Sequence, residues 1–217
     1  MGEMRERMLR GELYIADDAE NEAEFERVQA LLARFNASPP GASDERDALL
    51  RQMLRHVGEG VAVRAPFYCE YGAIGIGDRT FVNFGAIMLD VAPITIGAAC
   101  QIATRVQLLT ATHPIDPEPR RLGWEYGEPI TIADNVWLGG GVIVCPGVTI
   151  DQDTVVGAGA VVTRDLPAGV VAAGVPARAR REIGEEDRDA RRDGQSLPCS
   201  IECTGVRAAA GHVGRSG

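Results

Sequence analysis

Three histidines, five cysteines and no lysine define the chemistry this chain can offer. All 22 basic residues are arginine, which excludes Schiff-base catalysis and the lysine-dependent phosphate loop. His56 follows an apolar helical stripe, and His212 sits in a Gly/Ala-rich tail. His113 alone lies in a segment crowded with prolines and charges, Thr112-His113-Pro114-Ile115-Asp116-Pro117. An imidazole near neutral pH is the usual general base for activating a hydroxyl, and Pro114 restricts the backbone beside it. Cys69, Cys100 and Cys145 stand in apolar or strand-like runs and read as small buried hydrophobes in a reducing compartment. Cys199 and Cys203 form a Cys-x-x-x-Cys pair with no second ligand pair nearby, which argues against a metal or redox site.

The elements that would position His113 must come from an unusual composition. Of 217 residues, 45% are hydrophobic but only 5% aromatic, so Val, Ile, Leu and Ala must build the core. A net charge of −9 without a basic stripe argues against a nucleic-acid partner. No run approaches the roughly 18 apolar residues of a membrane span. The first ten residues lack the apolar centre of a signal peptide, so no membrane association and a cytoplasmic location are expected.

Residues 1–60 read as a helical segment. Val28, Leu31, Leu32 and Phe35 form one helical stripe, ended by Asn36 and the turn Ser38-Pro39-Pro40-Gly41. Ser43 is the expected N-cap of a second helix, with Leu50, Met53, Leu54 and Val57 as its stripe and Gly58 and Gly60 as its stop. From Val61 the period changes. Aliphatic residues recur every six positions at Ile132, Leu138, Val144, Ile150, Val156 and Val162. The same beat runs through Ile76, Val82 and Met88, slips by two, and resumes at Ile96, Ile102 and Leu108. A fixed period of six signals a solenoid, with a short strand and turn per hexad and three hexads to a triangular coil. Its narrow axis accepts aliphatic residues and excludes rings. This domain is expected over residues 61–183, with a loop, 109–129, excluded from the coil by its prolines. Residues 184–217 have no periodicity and are expected to be disordered.

Three further stretches carry a resemblance: the His113 loop, Asp134-Asn135-Val136-Trp137-Leu138-Gly139-Gly140, and Ala173-Gly174-Val175-Pro176-Ala177-Arg178. With the hexads, and with Met8 to Tyr14 and the helix of Arg27 to Asn36, they resemble the hexapeptide-repeat sugar O-acetyltransferases. That group includes the maltose, galactoside and nodulation-factor enzymes. Met88-Leu89-Asp90-Val91 and Thr110-Ala111-Thr112-His113 are most similar to the maltose type.

The resemblance implies a mainly β fold, a left-handed parallel β-helix, assembled as a homotrimer. It implies acetyl-CoA as donor, bound between neighbouring subunits, with no metal required. His113 matches the catalytic base, which would deprotonate a sugar hydroxyl for direct attack on the thioester in a ternary complex. Asn83 matches an asparagine that hydrogen-bonds the reacting hydroxyl or tetrahedral intermediate. Trp137, Gly140, Ala158, Thr163, Arg164, Arg178 and Arg181 match coenzyme contacts. Arg164 stands where relatives often carry lysine. Glu70, Asp90 and Asp17 are the acceptor-side candidates, and each departs from the galactoside pattern. Glu70 replaces a commonly shorter residue, Phe81 lacks a tyrosine hydroxyl, and Val91 replaces an aspartate, leaving Asp90 as the nearest carboxylate. Ala16 occupies the place of an N-terminal aspartate, with Asp17 beside it. The expected activity is acetyl transfer to a hydroxyl of a sugar such as maltose or glucose. A galactoside or chitooligosaccharide acceptor, a zinc hydrase of the γ-carbonic-anhydrase type and a non-catalytic scaffold remain as alternatives.

Overall fold

A computed structural model describes residues 2–188. Its centre is a parallel β-helix of about six coils. Each coil contributes one short strand to each of three sheets, which form the three faces of a triangular prism. The first face stacks His56–Val57, Ile74–Ile76, Ile94–Ile96, Ile130–Ile132 and Thr149–Ile150. The second stacks Ala62–Val63, Phe81–Val82, Gln101–Ile102, Trp137–Leu138, Val155–Val156 and Val170–Ala173, closed by the antiparallel strand Arg178–Glu182. The third stacks Phe67–Cys69, Ala86–Leu89, Gln107–Leu109, Ile143–Val144 and Val161–Val162.

The register explains the six-residue beat. Ile76, Ile96, Ile132 and Ile150 are mutually paired down one face. Val82, Ile102, Leu138 and Val156 pair down the second, and Met88, Leu108, Val144 and Val162 down the third. Nearly all are fully buried along the axis, and none is aromatic. Strand alternation sends the residue before each to the outside. At the corner between the first and second faces the chain reverses through residues with positive φ, among them Arg79, Ala99, Asn135 and Asp153. Asp153 Oδ1 accepts a bond from Asn135 Nδ2 of the coil below at 2.7 Å, a local compensation for that conformation.

The helical segment covers the open first coil. Helices α1 (Glu3–Leu9), α2 (Ala19–Ala37) and α3 (Ser43–Met53) precede it. Asp18 caps α2 by accepting from Glu20 N. Val28, Leu32 and Phe35 of α2 and Leu49, Leu50 and Met53 of α3 are buried in one cluster with the coil axis. An exposed strand edge is a liability unless covered, and α2 covers this one with side-chain amides. Asn36 lies within the helix and does not end it; its amide donates to Phe67 O at 2.8 Å and accepts from Phe67 N at 2.9 Å. Gln29 donates to Cys69 O at 2.9 Å.

Several sequence readings change in detail. Ser43 is the first residue of α3, Ala42 holds the capping position, and no side chain caps that helix. The α3 stripe ends at Met53, because Leu54 is already extended and His56–Val57 forms the first coil strand. His56 is therefore an exposed strand residue at the base of the coil. Cys69 and Cys100 are buried and Cys145 is half-buried. At the other end, Glu185–Arg188 forms a helical turn. The rest of the tail expected to be disordered, with Cys199, Cys203 and His212, lies outside the described residues. Among the described residues no helix is long and apolar enough to cross a membrane, and no group of three His, Cys, Asp or Glu side chains is arranged to hold a metal.

Candidate active site

Two corners of the prism collect the residues singled out in the sequence. The corner between the second and third faces carries Asn83, Ala103, Gly139, Gly157 and Ala173 at one level, stacked coil on coil by backbone bonds of 2.8–2.9 Å. One position further on stand Phe84, Thr104, Gly140, Ala158 and Gly174. Apart from Asn83 and Phe84 these side chains are small, and Arg178 ends the column as the pairing partner of Ala173. From Asn83 to Ala173 is four coil spacings, roughly 19 Å at ~4.8 Å per strand. Trp137 lies half-buried on the adjoining outer face, between Gln101 and Val155. The same outer column reaches Val171, opposite Arg181.

The smallness of this corner has a packing cause. A Cβ on Gly139 would come within 2.6 Å of Ala158 N and 2.9 Å of Val156 O, so only glycine lets these coils close. A Cβ on Gly140 would meet only Thr104, its Oγ1 at 3.3 Å and its carbonyl O at 3.6 Å. Gly140 is therefore far less demanded by the fold than its neighbour.

The corner between the third and first faces carries the other set. It stacks Glu70, Leu89, Leu109, Cys145 and Thr163, followed by Tyr71, Asp90, Thr110, Pro146 and Arg164. In the first two coils this corner is longer than in the regular hexads, which produces the slip between Met88 and Ile96. After Leu109 the chain leaves the coil. Ala111–Thr112 and Trp124–Gly127 pair as a hairpin around helix α4 (Pro117–Arg121), and the N-terminal strand Tyr14–Ile15 adds to its outer edge. Asp116 caps α4 by accepting from Glu118 N, and two prolines sit in its first turns. This small sheet brings Asp17, which follows Tyr14–Ile15, to the same side of the molecule as His113.

His113 is exposed just past the first arm of the hairpin, with Nδ1 3.9 Å from Glu125 Oε2. Near it is a largely buried acidic cluster of Glu70, Asp90 and Glu125. Burial, then Asp90, then Glu125 push the carboxyl of Glu70 up to about 7, and Glu70 Oε2 is buried without a hydrogen-bond partner. Burial, with Glu70 and Glu125 adding to it, raises Tyr71 to about 12. Tyr14 is fully buried; its hydroxyl faces Glu125 short of hydrogen-bond geometry, and its pKa is raised by burial first and Glu125 second. Glu125, Tyr14 and Tyr71 are not among the residues that the sequence points to. For Glu125 the only local signal is the alternation Trp124-Glu125-Tyr126, which reads as a strand inside the excluded loop.

Asp90, an acceptor-side candidate by sequence, is engaged within the fold. The side chain is fully buried, and its carboxylate accepts from Glu70 N at 2.7 Å, Tyr71 N at 3.1 Å and Ala73 N. It anchors the corner that presents Glu70 and has no face open to an acceptor. Burial raises its pKa, and the three amides oppose that rise. Of the basic candidates, Arg164 and Arg178 are exposed, whereas Arg181 is held by Asp187, with Nη2 to Oδ1 at 2.8 Å. That pair holds the Asp187 carboxyl low, at about 2. Arg178 and Arg181 stand on a strand antiparallel to Val170–Ala173. Within one chain, Asn83 and His113 lie on different corners.

A coil built on hexads, capped by helices and bearing one histidine on an excluded hairpin, defines the hexapeptide-repeat acyltransferases as a class. Residues 7–58 match the maltose acetyltransferase hexapeptide capping motif, and residues 129–164 match the bacterial transferase hexapeptide model of six repeats. The chain is 46% identical over 177 residues to nodulation protein L of Rhizobium meliloti, covering 81% of this chain and 97% of that one. It superposes on a maltose O-acetyltransferase from Clostridium difficile with a TM-score of 0.82 at 42% identity, covering 83% of this chain and 97% of the other. A galactoside acetyltransferase in complex with coenzyme A gives 0.83 at 39% identity, with 87% and 94% covered. The chain belongs to the maltose and galactoside O-acetyltransferase family of hexapeptide-repeat enzymes, and it is an acetyltransferase.

Proposed function

We propose that the protein transfers the acetyl group of acetyl-CoA to a hydroxyl of a small sugar of the maltose or glucose kind, with His113 as general base. The observation that carries this reading is the division of the site between two corners. Asn83, Gly140, Ala158 and Arg178 run along one corner, and Glu70, His113, Thr163 and Arg164 along the other. Apposing one corner of a copy with the other corner of its neighbour completes the set, and three copies around an axis do so three times. The homotrimer and the inter-subunit cleft are thus part of the proposal. The small-residue column suits an extended pantetheine arm, with the thioester towards Asn83 and the phosphates towards Arg178.

The chemistry balances within that frame. The acceptor O–H gives its proton to the free ring nitrogen of His113 as its oxygen forms a bond to the thioester carbonyl carbon. Asn83 donates its amide N–H to the developing oxyanion. The C–S bond breaks, and the leaving sulfur takes the proton back from the imidazolium. The products are an acetyl ester and free coenzyme A. No cysteine stands in the hairpin to form an acyl intermediate, which favours direct attack.

The test is His113→Ala assayed by thiol release on a panel of glucose, maltose, a galactoside and a chitooligosaccharide. Loss of at least ~100-fold in turnover is expected, with acetyl-CoA still raising the melting temperature. Full turnover in the variant removes His113 from the mechanism. The panel itself decides the acceptor, and the spent carboxylate of Asp90 argues against the galactoside. A solution mass of one chain would overturn the shared cleft.

A further inference from the structure

The hairpin register places three side chains in one row. Thr112 pairs with Tyr126 and Ala111 with Gly127, so the next position, His113, falls opposite Glu125. On the other side of the same strand Glu125 is paired directly with Tyr14. Residues opposite one another across antiparallel strands share a face of the sheet. Tyr14, Glu125 and His113 therefore form a cross-strand row with the carboxylate in the middle, its side chain 19% exposed against 56% for the imidazole. Glu70 and Tyr71, from the coil corner, face the same carboxylate. Among the described residues His113 is the only histidine in this region.

We propose that Glu125 is a positioning residue for the base, holding the ring of His113 by accepting from Nδ1–H. This inference rests on the acetyltransferase reading above. A neutral imidazole has one protonated nitrogen, and a carboxylate facing Nδ1 selects the form in which Nε2 is free to take the acceptor's proton. The present separation of 3.9 Å is just outside hydrogen-bond length, and a rotation of the exposed ring closes it. Tyr14 braces the carboxylate from the far side. Its hydroxyl is buried without a hydrogen-bond partner, and Glu125 is the neighbour that acts on it most strongly, so a small shift would let that O–H donate to the carboxylate. This ties the strand Tyr14–Ile15, at the outer edge of the hairpin, to the base through Glu125.

The test uses the full chain with Glu125→Gln, Glu125→Asp and His113→Ala, assayed together on the best acceptor of the panel. Orienting partners of this kind cost about 10–100-fold in activity when lost. Glu125→Gln is expected to lower kcat by about that factor while both KM values stay within about twofold, and Glu125→Asp to recover most of the loss. Independently, ¹⁵N-histidine spectra are expected to show Nδ1 protonated in the wild type and a mixed population in Glu125→Gln. If His113→Ala is inactive and Glu125→Gln keeps wild-type kcat, this inference alone fails. If His113→Ala is itself active, the base assignment fails and takes this inference with it. A wild-type ring protonated at Nε2 overturns the proposal whatever the rates, and so does a loss in Glu125→Gln that Glu125→Asp does not relieve.

Discussion

The buried carboxylate of Asp90 accepts the backbone N–H of Glu70 at 2.7 Å, so the first holds in place the corner on which the second is displayed. With Tyr71 N and Ala73 N also bonded to it, Asp90 replaces the backbone pairing that a regular hexad would supply. Breaking a buried charged acceptor away from three amides leaves unsatisfied donors, at a cost of about 2–4 kcal/mol. Asp90→Ala is expected to lower the melting temperature by several degrees and to impair acceptor use only through that loosening. Were Asp90 a direct acceptor ligand, acceptor KM would rise with the melting temperature unchanged, and a melting scan beside the kinetics separates the two.

Much of the fold can be read from the sequence because the axis is so narrow that one residue in six has almost no chemical latitude. Ile132 to Val162 announce themselves for that reason. The first coil does not: Val57, Val63 and Cys69 lead to Ile76 at a spacing of seven, and the helix stripe of α3 runs into Val57 without a break. The half of the site around His113 falls where the beat is interrupted, at Glu70–Ala73, at Leu89–Pro93 and in the His113 hairpin. Periodicity can locate such interruptions but cannot pair them. Asp90 looks like a ligand in sequence and is an anchor in space, since nothing local shows that its partners are amides of the preceding coil. The role of Glu125 is hidden for the same reason, because its opposition to both Tyr14 and His113 depends on a hairpin pairing with a strand far earlier in the sequence.

Glu70 should make stability depend on pH. Its carboxyl is pushed up to about 7 in the fold, above the unfolded value near 4.5, mainly by burial. A carboxyl that holds its proton longer when folded stabilises the fold below the unfolded value and loses that contribution as pH rises from about 4.5 to about 7. Glu70→Gln keeps the shape and stays neutral. The melting temperature of the variant relative to wild type should therefore climb across that window and level off above it. A difference that stays flat with pH would mean that Glu70 carries no such linkage.

Gly139 and Gly140 separate packing from binding. Gly139→Ala drives a methyl into the backbone of Ala158 and is expected to destabilise the coil by about 1–3 kcal/mol. Gly140→Ala meets the hydroxyl of Thr104 at 3.3 Å, which can give by rotating, and its carbonyl oxygen at an ordinary 3.6 Å, and should cost less than about 1 kcal/mol. If the corner column carries the pantetheine arm, Gly140→Ala should nonetheless raise the apparent KM for acetyl-CoA several-fold. An unchanged KM in a fully folded Gly140→Ala would take the arm off this corner.

Arg178 and Arg181 stand on the same closing strand but are engaged differently. Arg178 is exposed beside the end of the small-residue column and donates to the neighbouring Ala177 O, whereas Asp187 grips Arg181 through both terminal nitrogens. A coenzyme phosphate can recruit Arg178 without a competitor, but must displace or share a carboxylate to recruit Arg181. A charge-assisted hydrogen bond is worth about 1.5–3 kcal/mol, so Arg178→Ala should raise the apparent KM for acetyl-CoA by about tenfold or more with kcat at saturation unchanged. Arg181→Ala should have a smaller effect. Titration calorimetry with coenzyme A and with its dephosphorylated form shows which phosphate is involved. Equal effects of the two arginine variants would mean that Asp187 does not restrain Arg181 when the donor binds.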